Sequence, residues 1–80
     1  MTLSSAVAKR IDEYLFLRGI TLYKLAQDAG LPVATLQNLY RGISKSPTLA
    51  VVYKVCLALN VSVGEFLDSE LFSPQLLELD

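Results

Sequence analysis

Residues 21–42 read Thr-Leu-Tyr-Lys-Leu-Ala-Gln-Asp-Ala-Gly-Leu-Pro-Val-Ala-Thr-Leu-Gln-Asn-Leu-Tyr-Arg-Gly. Their spacing predicts a short helix, a tight glycine turn and a second short helix, with apolar residues only where two crossed helices touch. Leu25, Ala26 and Ala29 give the first helix an inward face, and Leu36 and Leu39 do the same for the second. Gly30 stands where the chain must leave a helix through positive φ, which costs little without a Cβ. Ala26 is small, as a close helix crossing requires. Val33, Ala34, Thr35, Gln37, Asn38 and Arg41 are left for the outward side of the second helix. The pattern is a helix-turn-helix.

Five helices follow from reading outward, with no strand pattern, repeat or low-complexity tract. Val7, Ile11, Tyr14 and Leu15 fall at helical spacing in a first helix from about Ser5 to Arg18, closed by Gly19 and a hydrophobic contact from Ile20. Thr21 is the N-cap of the second helix. Pro32 starts the third, where a missing N–H does no harm, and Gly42 ends it. Pro47 and Thr48 open a fourth helix after the loop 43–46. Its inward residues are Leu49, Val52, Val55, Cys56 and Leu59, and Asn60 takes the exit. Ser62 with Glu65 forms a capping box, and Val61 with Phe66 the matching staple, starting a fifth helix that ends near Asp68. Pro74 separates this helix from a last segment.

Composition narrows the function. Eighty residues make one domain, and such a chain buries only about 60% of its unfolded surface, so its packing must be efficient. A hydrophobic content of 52% fits a helical core rather than disorder. One cysteine and no histidine provide neither a disulfide framework nor a zinc site, and Cys56 reads as core filler. No nucleophile–base pair can be assembled, so no catalytic residue, metal or cofactor is expected. Neither a signal peptide nor an apolar run of roughly 18 residues is present, which points to the cytoplasm and away from membranes. The net charge of −1 is unevenly distributed. Residues 1–60 carry seven bases against three acids, a balance of +4, and residues 61–80 carry five acids and no base. That asymmetry predicts a modestly basic face and an acidic opposite end.

Leu25-Ala26, Gly30, Leu36 with Leu39, Gly42, Pro47-Thr48-Leu49 and Leu59-Asn60-Val61-Ser62 together resemble the XRE or Cro/phage-repressor helix-turn-helix family. The likeness extends over roughly residues 5–68. It implies an all-α, five-helix, lambda-repressor-like DNA-binding domain over residues 1–68, with helices two and three forming the helix-turn-helix. Residues 69–80 are then an apolar, acidic C-terminal extension.

The family's docking mode lays the third helix in the major groove and implies base contacts from Val33, Ala34, Thr35, Gln37 and Asn38. Asn and Gln pair bidentately with adenine, and Val, Ala or the Thr methyl meets a thymine methyl, so an A·T-leaning half-site is expected. The bland alternative is that Gln37 and Asn38 only solvate an exposed face. Thr21, Tyr23, Lys24, Tyr40, Arg41, Ser44 and Lys45 are the implied phosphate contacts, with the first at a helix N-terminus that favours anions. Leu22 replaces a glutamine common in the family just after the cap. Many members also bury an arginine of helix one against a glutamate late in helix three. The resemblance assigns those positions to Leu15 and Tyr40, both charges lost together, with the Tyr40 hydroxyl on the DNA side.

Double-stranded DNA with a pseudo-palindromic operator is the expected partner, bound by a homodimer, with no small-molecule ligand evident. Leu71, Phe72, Leu76, Leu77 and Leu79 either fold back on the chain's own helices or cover a partner subunit, and their deletion is expected to convert dimer to monomer. The leading function is a sequence-specific transcriptional regulator, more often a repressor. A helix-turn-helix used for protein contact and a DNA-binding antitoxin are the alternatives.

Overall fold

In a computed structural model of the protein, which describes residues 1–43 and 47–78, the first helix starts two residues before the expected Ser5. Thr2 Oγ1 accepts the Ser5 backbone N–H at 3.1 Å, so α1 covers Leu3–Arg18. Then come α2 (Leu22–Ala29), α3 (Val33–Tyr40), α4 (Leu49–Leu59), α5 (Val63–Leu67) and a 3₁₀ turn at Glu70–Phe72. The architecture is all-helical among the described residues.

A hydroxyl caps each helix start except that of α3. Thr2, Thr21, Thr48 and Ser62 each accept an N–H from the first turn, meeting one of the donors a helix leaves unpaired there. Pro32 occupies the α3 cap position without a side-chain bond. Helices α1 to α4 are all followed by a left-handed residue, Gly19, Gly30, Gly42 and Asn60. The next residue in each case returns its N–H to a carbonyl five positions back: Ile20 to Leu15, Leu31 to Ala26, Ile43 to Asn38 and Val61 to Cys56. Ile20, Leu31 and Val61 also pack against the core, completing the hydrophobic contact such endings carry. Ile43 does not share this cover and is exposed.

Helix α2 packs against α3 and α4, α1 against α3 and the 3₁₀ turn, and α4 against α5. Leu25, Ala26 and Leu36 are fully buried, and Leu39 nearly so. Phe66 fills the other end of the core, stacked on Tyr14 at 6.0 Å and tilted against Phe72 at 6.1 Å. Arg10 fastens α5 to α1. Its Nε donates to the Phe66 carbonyl at 2.7 Å and its Nη2 to that of Glu65 at 2.8 Å, while the guanidinium lies 4.8 Å from the Tyr14 ring centre. Arg18 Nη1 likewise donates to the Leu59 carbonyl at 2.7 Å. Both cations sit at negative helix ends, where charge and hydrogen bonding act together.

Leu49 departs from its expected burial and is 70% exposed. It belongs to the first turn of α4, where the described residues of α1 and α5 leave that side open. Instead it lines an apolar recess with Leu3, Val7, Pro47, Val52 and Leu67. The C-terminal segment lies against its own chain, with Phe72 on Phe66. Glu78 pairs with Thr2 as an isolated parallel bridge, and its N–H donates to the Met1 carbonyl at 2.7 Å. Leu71 and Leu77 are half-buried and Leu76 is exposed. Leu79 lies outside the described residues.

Ser62 Oγ accepts the Glu65 N–H at 3.0 Å, and Glu65 Oε1 accepts the Ser62 N–H at 3.2 Å. Replacing Ser62 with Ala is expected to lower stability by about 1 kcal/mol, the usual cost of a lost N-cap, read from the urea midpoint. Phe72→Ala should cost about 1–3 kcal/mol, less than a fully buried phenylalanine, because Phe72 is only half-buried. An unaltered midpoint would show that the last segment contributes nothing to the core.

Candidate nucleic-acid interface

Helix α3 divides cleanly by its own periodicity. Leu36 and Leu39 are buried, whereas Ala34, Gln37, Asn38 and Arg41 are all exposed. These four stand at i, i+3, i+4 and i+7, which places them on a single helix face. Among the described residues neither the Gln37 nor the Asn38 side chain hydrogen-bonds to a protein group. Both amides therefore keep their full donor and acceptor capacity toward solvent or a ligand.

Two of the five residues expected to read bases behave differently. Val33 is half-buried and packs against the core, because it precedes Leu36 by three positions and shares its face. Thr35 is also half-buried. The fully exposed residues of this expected set are thus Ala34, Gln37 and Asn38.

The basic residues are distributed less favourably for an anion than the count implies. Arg10 and Arg18 are held at the C-terminal ends of α5 and α4. Lys24 Nζ lies 2.9 Å from Asp28 Oδ1, one turn further along α2. Among the described residues, Arg41 is the one cation on the outward face of α3. Thr21 Oγ1 accepts the Lys24 backbone N–H at 3.0 Å, and Tyr23 beside it is exposed. Ser44 and Lys45 lie outside the described residues. Lys9 and Lys54 are exposed on α1 and α4, so around the helix pair itself the described basic residues are Lys24 and Arg41.

Tyr40 corrects the sequence reading. Its hydroxyl donates to Asp12 Oδ1 at 2.6 Å, joining the end of α3 to the middle of α1. Leu15, assigned as the facing position, is buried in the core. The residue opposite Tyr40 is thus Asp12, nearly one turn earlier. The phenol's hydrogen is engaged by a carboxylate, which would repel a phosphate brought to the same point. The bond to Asp12 and that carboxylate's charge, with a smaller contribution from desolvation, raise the Tyr40 pKa above its ordinary 10.0. Nothing in helical spacing signals this pair, since it depends on how α1 lies across α3.

Cys56 is buried, and desolvation raises its thiol pKa. No group of three His, Cys, Asp or Glu suited to a metal occurs among the described residues. No described helix is long and apolar enough to cross a membrane.

A family model, described as the Cro/C1-type HTH DNA-binding domain, matches residues 10–70. The chain is 31% identical over 64 residues to the HTH-type transcriptional regulator SinR of Bacillus subtilis (strain 168), covering 80% of this chain and 58% of that protein. It thus spans a little over half the length of that relative. No solved structure matches. With more than half of its length matched by the family model, the chain belongs to the Cro/C1-type helix-turn-helix DNA-binding family.

Because the folded chain holds the Tyr40 proton more tightly than an unfolded one, the bond's contribution is complete below the ordinary phenol pKa and disappears as pH rises through the raised value. In a spectroscopic phenolate titration, Asp12→Asn should move the Tyr40 midpoint down toward 10.0, with Tyr40→Phe identifying the component. An unmoved midpoint would separate the two groups.

Proposed function

We propose that the protein is a sequence-specific transcriptional regulator that lays α3 in the DNA major groove. The observation that carries this reading is the exposed face Ala34–Gln37–Asn38–Arg41 on a helix whose other side is locked into the core. Asn38 and Gln37 supply amides suited to adenine N6 and N7, and Ala34 supplies an apolar contact for a thymine methyl. Val33 and Thr35 border this face and act on bases only at its edge.

Phosphates are met from the flanks. The Thr21 hydroxyl uses an acceptor site for its cap and keeps its hydrogen for a phosphate oxygen. Tyr23 stands exposed beside it, and Arg41 follows the end of α3. Lys24 reaches a phosphate only by leaving Asp28, and Tyr40 only by leaving Asp12, so both are weaker contributors. Ser44 and Lys45 complete the proposed set. With so few free cations, the salt dependence of binding is shallow. Two copies on a pseudo-palindromic operator supply the second half-site, and repression in the cytoplasm by blocking a promoter is the simplest outcome.

A helix-turn-helix used for protein contact is the second reading. It draws support from the pairing of Arg10, Arg18 and Lys24 within the chain. Selection from random duplex DNA distinguishes them, because a protein-contact domain enriches no motif.

On a selected operator, Arg41→Ala should weaken binding to all sequences alike and reduce the salt slope by about one unit. Asn38→Ala should instead relax preference at one base pair, at a cost of about 1–3 kcal/mol. If Asn38→Ala left both motif and affinity unchanged, α3 would not be reading bases in this register.

A further inference from the structure

Helix α4 is apolar nearly all round, since Lys54 carries the only charge in Leu49–Leu59. Such a helix is normally buried on every side, yet here Val52, Val55, Cys56 and Leu59 are the residues covered. Leu49, Tyr53 and Leu57, at i, i+4 and i+8, form a second stripe that is 70%, 52% and 60% exposed. At Leu49 the stripe runs into the recess bounded by Leu3, Val7, Pro47, Val52 and Leu67, a cavity of about 280 Å³. Leu3 and Leu67 are themselves exposed on its rim.

We propose that this face binds a second copy of the chain about a two-fold axis passing close to Tyr53. Tyr53 is the middle residue of the stripe, so two antiparallel α4 helices set each copy's Leu49 beside the other's Leu57 and satisfy the self-complementarity of an isologous contact. Leu3, Leu49, Tyr53, Leu57 and Leu67 expose apolar surface on the order of 500 Å² per copy, and two copies together bury on the order of 1,000 Å², the lower bound for a specific interface. The stripe itself, Leu49, Tyr53 and Leu57, carries no charge, and Lys54 stands at its border. The central residue, a tyrosine, is of a type enriched among interface hot spots. The other apolar segment, around Phe72, already lies on the chain's own α1 and α5. This contact supplies the two-fold symmetry invoked above and rests on that reading only for its use on DNA.

Sedimentation equilibrium of the whole chain without DNA provides the test. The wild type should show a monomer–dimer equilibrium, and Tyr53→Glu and Tyr53→Lys should each raise the dimer dissociation constant at least tenfold. An equimolar mixture of the two variants should dimerise again, because opposite charges then meet at the axis. Thermal melts near that of the wild type establish that both variants fold. Should either fail to fold, Leu57→Glu and Leu57→Lys, with each singly monomeric and each paired with the opposite charge at Leu49, carry the same comparison. A wild type that stays monomeric, dimers that survive both charges, or a mixture of monomeric variants that does not reassociate overturns the proposal. A dimer that selects no DNA motif would defeat the regulatory reading and leave this interface standing.

Discussion

Helices of eight residues or fewer do not hold themselves together in water, because the cost of nucleating a turn is recovered only over a longer run. Helices α2, α3 and α5 are all of that kind, so the fold depends on how their ends are satisfied and where each end sends the chain. Four hydroxyl caps start helices, and four left-handed residues stop them. At three of the four stops, the following apolar residue turns into the core, so that ending a helix and packing it are the same event. Arg10 and Arg18 extend the arrangement to α5 and α4 by binding their terminal carbonyls. The outward face of α3 inherits its orientation from this framework.

The link between α1 and α3 shows how such a framework absorbs a change of charge. A neutral phenol donating to one exposed carboxylate avoids the desolvation that a buried ion pair must overcome. It leaves a negative charge on α1 beside the end of α3. That charge opposes an anion brought to the same point.

The features that were legible in the sequence are those determined within a few residues. The Thr21 cap, the Gly30 turn and the Ser62–Glu65 box each involve a hydroxyl, a missing Cβ or a carboxylate acting on its immediate neighbours, and the Asn60 exit uses a residue type that tolerates the left-handed region. Periodicity also located the buried Leu25, Leu36 and Val55. The misreadings concern relations between helices. Leu49 has the right phase for burial but borders an open recess shared with α1 and α5, and Asp12 meets a residue 28 positions away. The carbonyls that hold Arg10 lie 55 and 56 residues along the chain, whereas its ion pair with Glu13 at 3.3 Å is a local i, i+3 contact.

The bond between Glu78 and Met1 joins residues about as distant along the chain as this sequence permits. Closing that loop early would constrain almost the entire polypeptide for one hydrogen bond, a poor exchange against chain entropy. A contact of such separation is expected to contribute little to the speed of folding. The same separation makes it easy to open, since among the described residues a backbone bond, an ion pair at 3.8 Å and half-buried leucines hold it. The amide of Glu78 should then exchange with solvent well before those of Val55 or Leu36, so the molecule loosens at its joined ends while the helix-turn-helix stays closed.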